Sequence, residues 1–125
     1  MNDLMQRKHR SQMSYEEISF VETLIHSMQG WTIESALIHA SKKGRTFTRE
    51  QVIEALQRGQ VIEVNSFGRV LMRSNKGTCV VASLRGALAI TVWFNRPNDN
   101  HKTLRREEYQ WRVNVIEYLK SQVGR

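Results

Sequence analysis

The chain has a single cysteine, Cys79, and a single proline, Pro97. One cysteine excludes an intrachain disulfide, so the fold must hold without covalent staples. Cys79 sits in the apolar run Cys79-Val80-Val81-Ala82, where a buried, inert thiol is expected. No CxxC or HExxH spacing occurs, which leaves no zinc-type ligand set. No metal and no cofactor is expected. Glycines stand singly, and no G-x-S-x-G is present; a phosphate-cradling loop and a nucleophile elbow are both absent. No apolar stretch approaches the roughly 18 residues a membrane span needs, and the N-terminus lacks a signal-type apolar run. The expectation is a cytoplasmic protein with no membrane contact.

Acidic residues are scarce in one region. Residues 67–106 hold eight cations, Arg69, Arg73, Lys76, Arg85, Arg96, Lys102, Arg105 and Arg106, against one acid, Asp99. Elsewhere basic and acidic residues cancel, so the net charge of +7 belongs to this segment. A local field of this kind favours a polyanion, most often nucleic acid. The competing reading is a basic surface kept for solubility.

What is present fits one globular domain. The chain has 125 residues, 40% hydrophobic and 8% aromatic, enough to bury a core and too short for two ordinary domains. Residues 1–13 are polar and read as a flexible basic arm, leaving 14–125 as a single α+β domain. Ser14-Tyr15-Glu16-Glu17 has capping-box spacing, and Ile18, Val21, Leu24, Ile25 and Met28 repeat at helical spacing behind it. Thr32 is expected to cap a second helix with Ile33, Ala36, Leu37 and Ala40 inward. Thr48-Arg49-Glu50-Gln51 opens a third helix that Gly59 closes. The period then becomes two. Gln60–Asn65, Arg69–Ser74, Thr78–Leu84 and Ala87–Asn95 read as four strands joined by short turns, hence antiparallel. In the last, Leu88, Ile90, Val92 and Phe94 are expected on one face and Ala89, Thr91, Trp93 and Asn95 on the other. A final helix is expected over about 104–121, although Tyr109, Trp111, Val113 and Val115 also alternate as a strand would. The fold class is α+β: N-terminal helices, then a four-stranded antiparallel sheet and a C-terminal helix.

The candidate chemistry is that of phosphate. RNA cleavage through its own 2′-hydroxyl needs a proton acceptor, a proton donor and a cation. A histidine with arginines supplies these. His39 on the second helix and His101 in the Pro97–Thr103 loop are the candidates. The plainer reading makes His39 a structural or surface residue and His101 a solvated one. Arg69, Arg73 and Arg85 lie on or beside neighbouring strands, and arginine grips phosphate with paired hydrogen bonds. With Trp93 as a stacking platform, and Lys76, Arg96 and Lys102 nearby in sequence, such a sheet face suits single-stranded RNA. Against this, Arg85 is a turn residue, Arg69 edges a strand, and Trp93 has the option of packing under the final helix. The same basic surface also suits an acidic protein partner.

The stretch from His39 to Tyr109 resembles the domain-of-unknown-function family 4258. The resemblance lies in His39-Ala40, in residues 44–56 (GRTFTREQVIEAL) and in residues 59–63 (GQVIE). The order of later elements is similar to BrnT-type toxins, with an arginine-bearing hairpin before a last strand and a C-terminal helix carrying glutamate and tyrosine. Here these are Val92–Arg96 and Arg105–Tyr109. The resemblance implies a RelE-like ribonuclease architecture, an origin in phages or mobile elements, and an antitoxin or the ribosome as partner. It places His39 at the histidine that opens the family's helix, and Arg73 and Arg85 at hairpin positions where related toxins carry basic residues. The expected function is therefore a nucleic-acid-facing protein, as a metal-independent ribonuclease with His39, Arg73 and Arg85 at its centre. The alternative is a non-catalytic accessory protein that binds an acidic partner.

Overall fold

A computed structural model describes residues 6–96 and 114–123. Two capping boxes start helices where the sequence predicts them. Ser14 Oγ accepts the Glu17 N–H at 3.1 Å, and Glu17 accepts the Ser14 N–H at 2.9 Å, which opens helix α1, Tyr15–Ser27. Thr48 and Gln51 exchange the same pair of bonds ahead of α3, Arg49–Arg58. Each box satisfies N–H groups that a helix start would otherwise leave without partners.

The second helix, α2, runs Glu34–Lys42, and Thr32 does not cap it. The residue preceding the helix is Ile33, whose N–H donates to the Glu34 carboxylate at 3.0 Å. The backbone of Thr32 is used elsewhere. Its N–H donates to the Ala87 carbonyl at 2.8 Å, and its carbonyl accepts the Ala89 N–H at 2.9 Å, a short parallel bridge beside Leu88. A tertiary pairing has outcompeted the local cap.

Among the described residues the sheet has five strands, where the sequence predicts four. Strands β2 (Gln60–Asn65), β3 (Arg69–Arg73), β4 (Thr78–Ser83) and β5 (Leu88–Phe94) follow the alternating segments closely. The fifth is β1, Arg7–His9, within the stretch expected to be a flexible arm. It pairs antiparallel with β2, Arg7 opposite Asn65 and His9 opposite Glu63, and the order across the sheet is β1-β2-β3-β4-β5. Three residues have too few apolar side chains to anchor a strand. Carboxylates distant in sequence do it instead. Arg7 Nε and Nη2 reach the two oxygens of Glu63 at 2.7 Å each. Lys8 Nζ lies 3.0 Å from Glu17, and Arg10 lies 2.7 Å from Glu22. Glu22 also accepts the Val61 N–H at 2.9 Å, and Arg10 donates to the Val61 carbonyl at 2.9 Å.

Simple alternation also fails within β5. Val81 opposes Thr91 and Ala82 opposes Ala89, so Ile90 is an extra residue. This bulge puts Ala89 and Val92, three apart, on the same buried face. The expected set Leu88, Ile90, Val92 and Phe94 is thereby split: Leu88, opposite Ser83, lies on the face away from the core and Val92 lies in it. Phe94 stays on the side of Val92 but, as the last residue of the strand, is 62% exposed.

The α-helices of the described residues lie on one side of the sheet. Val21 and Ile25 of α1, Ala36 and Ala40 of α2, and Val52, Ala55 and Leu56 of α3 meet Val61, Val64, Val70, Met72, Val80, Ala82, Ala89 and Val92 from the strands. Helix α4, Val115–Gln122, adds Val115 and Leu119. Asn114 Oδ1 caps it, accepting the Ile116 and Glu117 N–H groups. The expected helix start near residue 104, and the loop before it, lie outside the described residues. No helix among the described residues is long and apolar enough to cross a membrane.

Candidate nucleic-acid interface

Residues opposite one another in an antiparallel ladder project to the same face. Leu71, Val81 and Thr91 form one such row, and Arg73, Cys79 and Trp93 form the next. Arg69, two positions from Leu71, lies on this face opposite Ser83. Because Val70, Met72, Val80 and Val92 enter the core, this face is the one turned away from the helices. Trp93, which is partly buried, therefore faces away from the helices of the described residues. Arg73 and Trp93 stand two strands apart, about 10 Å. Arg69 and Arg73 are separated by about 13 Å along β3.

The electrostatics of this face follow from the strands. Glu63 is the sole acidic residue in β1–β5, and Arg7 holds both of its oxygens. Thus the cations of the N-terminal segment are tied to carboxylates. In the segment that carries the excess charge, Arg69, Arg85 and Arg96 have no carboxylate within ion-pair distance among the described residues. Lys76, in the β3–β4 turn, lies 3.9 Å from Glu54. Arg73 donates to the carbonyl of Arg96, which brings the chain just beyond β5 over to β3.

The basic residues fall into two groups. Arg73, Lys76, Trp93 and Arg96 gather at one end of the sheet, because Arg73 pairs with Cys79 at the start of β4. Arg69, opposite Ser83, and Arg85, two residues beyond it, sit at the other end. Arg73 and Arg85 are then separated by about 20 Å along β4. His39 is exposed on α2, whose buried Ala36 and Ala40 lie against the core side of the sheet. It stands across the sheet from Arg69 and Arg73. The described residues do not gather His39, Arg73 and Arg85 into one constellation. His101 and Lys102 lie outside the described residues. Cys79 is fully buried, with its thiol 3.6 Å from the Gly77 carbonyl.

At the Arg85 end, the Tyr118 hydroxyl of α4 donates to the Ser66 carbonyl at 2.6 Å. Burial pushes its pKa above 10.0, against the opposing pull of the Gly68 backbone and the Arg85 charge. At the Arg73 end is a cleft of about 320 Å³ lined by Glu54, Arg58, Gln60, Arg73, Ser74 and Asn75. Sequence reasoning singled out only Arg73 of these. The cleft exists because Gly59 lets the end of α3 abut β3. A Cβ there would lie 2.2 Å from the Ala55 carbonyl oxygen and 2.8 Å from that of Arg73. His26 reinforces the junction from α1, its Nε2 donating to the Gly59 carbonyl at 2.7 Å. The glycine was legible as a helix stop, whereas the close approach was not.

No protein-family model, no curated protein and no solved structure matches the chain.

Proposed function

We propose that the protein binds single-stranded RNA across the outer face of β3–β5. The observation that carries this reading is the shared face of Arg69, Arg73 and Trp93, in a sheet whose one carboxylate is already held by Arg7. Arginine side chains hold phosphates, and an aromatic face stacks a base without demanding a sequence. Leu71, Val81 and Thr91 between them, each partly exposed, give a narrow, uncharged strip for sugar and base contacts. The resemblance to the BrnT and RelE-like toxins agrees with RNA as the ligand. The wide separation of Arg73, Arg85 and His39 favours a binding module over a ribonuclease built on those three.

The test is fluorescence anisotropy of a labelled single-stranded RNA at several salt concentrations, with parallel gel analysis for cleavage. Three to five cations engaging phosphates give a log–log salt slope of about −2 to −3.5. Arg69→Gln should weaken binding and reduce the slope by about 0.7, and Trp93→Leu should weaken binding with little change in slope. Absence of binding at low salt would overturn the proposal and turn attention to an acidic protein partner. Cleavage that persists in EDTA and in His39→Ala would establish a ribonuclease whose proton-transfer group is another residue.

A further inference from the structure

The cleft beside Gly59 differs from the outer sheet face in shape and in charge. Its volume of about 320 Å³ is within the range of small-ligand sites, about 300–1,000 Å³. Arg58, at the end of α3, lines it and has no carboxylate partner within ion-pair distance among the described residues. Glu54 also lines it, but Lys76 Nζ stands 3.9 Å away and offsets that charge. Gln60 and Asn75 add side-chain amides. Ser74 is 4% exposed, and its Oγ accepts the N–H groups of Lys76 and Thr78 at 3.2 and 3.1 Å. These bonds hold the turn that carries Asn75 and Lys76 at the mouth. Arg73 belongs both to this cleft and to the row that contains Trp93. The cleft and one end of the proposed RNA face therefore share Arg73.

A partly open cationic cleft at the end of a binding face suits the end of a strand. A terminal phosphomonoester carries nearly two negative charges at neutral pH, against one for each internal phosphodiester, and it has no onward chain to exclude. We infer that the cleft lined by Arg58, Gln60, Arg73 and Asn75 binds the terminal phosphate of a single-stranded nucleic acid. This inference rests on the proposed RNA face, since that face delivers the strand end.

The experiment compares three RNAs of one sequence, with a 5′-phosphate, a 3′-phosphate or hydroxyls at both ends, by anisotropy at pH 7.5. The expected result is that one phosphorylated end binds about fivefold to tenfold more tightly than the hydroxyl-ended strand, and its polarity tells which way the strand lies. Arg58→Gln, with an unchanged urea midpoint as the control for folding, should bring that ratio to about one. Glu54→Gln should raise it. Equal affinity for all three strands, with binding otherwise intact and salt-dependent, would overturn the terminal-phosphate site and leave the RNA face standing. Failure of all three strands to bind would remove both.

Discussion

Replacing Arg7 by methionine tests whether β1 is held by its ion pairs. The Arg7 and Glu63 side chains are 17% and 8% exposed, and the two bonds between them are both 2.7 Å. Removing one partner of a buried pair leaves a charge without compensation and typically costs about 3–5 kcal/mol. Here the cost has a ceiling. Strand β1 is three residues long and lies at the sheet edge, so it can detach and return water to Glu63 by local opening. A loss of about 2–3 kcal/mol is therefore expected, equivalent to a fall in melting temperature of about 10 °C. Glu63→Leu should cost less, about 1 kcal/mol, because the Arg7 side chain at the edge can turn to water. The Arg7→Met/Glu63→Leu double variant should lie within about 1 kcal/mol of the parent, since a matched apolar pair carries no stranded charge. Urea unfolding gives the free energies. Hydrogen exchange locates the opening, because the Ser66 N–H, bonded to the Gln6 carbonyl at 2.8 Å, should lose protection in Arg7→Met while the Val80 N–H keeps it. An Arg7→Met loss below about 0.5 kcal/mol with Ser66 still protected would refute the reasoning. So would a double variant as unstable as the sum of the two single ones.

Gly59→Ala should destabilise the fold by about 2 kcal/mol or more, since its Cβ meets two carbonyl oxygens of the backbone; an unchanged thermal midpoint would mean that the α3–β3 junction yields freely. Tyr118 makes stability fall at alkaline pH. Its folded pKa is raised above 10.0, so the neutral phenol's contribution is complete below pH 10 and is lost as pH climbs through the folded value. Tyr118→Phe should flatten that alkaline decline and cost about 1 kcal/mol at neutral pH through the lost bond to Ser66, as measured by urea unfolding at both ends of the range.

The capping boxes at Ser14 and Thr48, the helical stripes behind them, and the alternation across residues 60–94 were legible because their causes lie within a few residues of one another. A cap needs four positions and a strand needs a period of two. The concentration of positive charge in residues 67–106 was likewise readable from composition. Tertiary structure decided the rest. Glu63 recruits Arg7 across 56 positions, so a segment that is polar by local criteria becomes a strand. Thr32 has the chemistry of a cap but gives its backbone to Ala87 and Ala89 instead. The extra residue Ile90 appears only when β5 is laid against β4, and it moves Ala89 and Val92 to the same side. The register of the β3–β4 hairpin sets Arg73 and Arg85 at opposite ends of one sheet, although both are hairpin arginines in the sequence. The cleft beside Gly59 depends on how closely one helix end approaches one strand. Local periodicity and charge are written in the chain itself, whereas pairing partners, register and close approach are settled only when distant segments compete for the same hydrogen bonds and the same space.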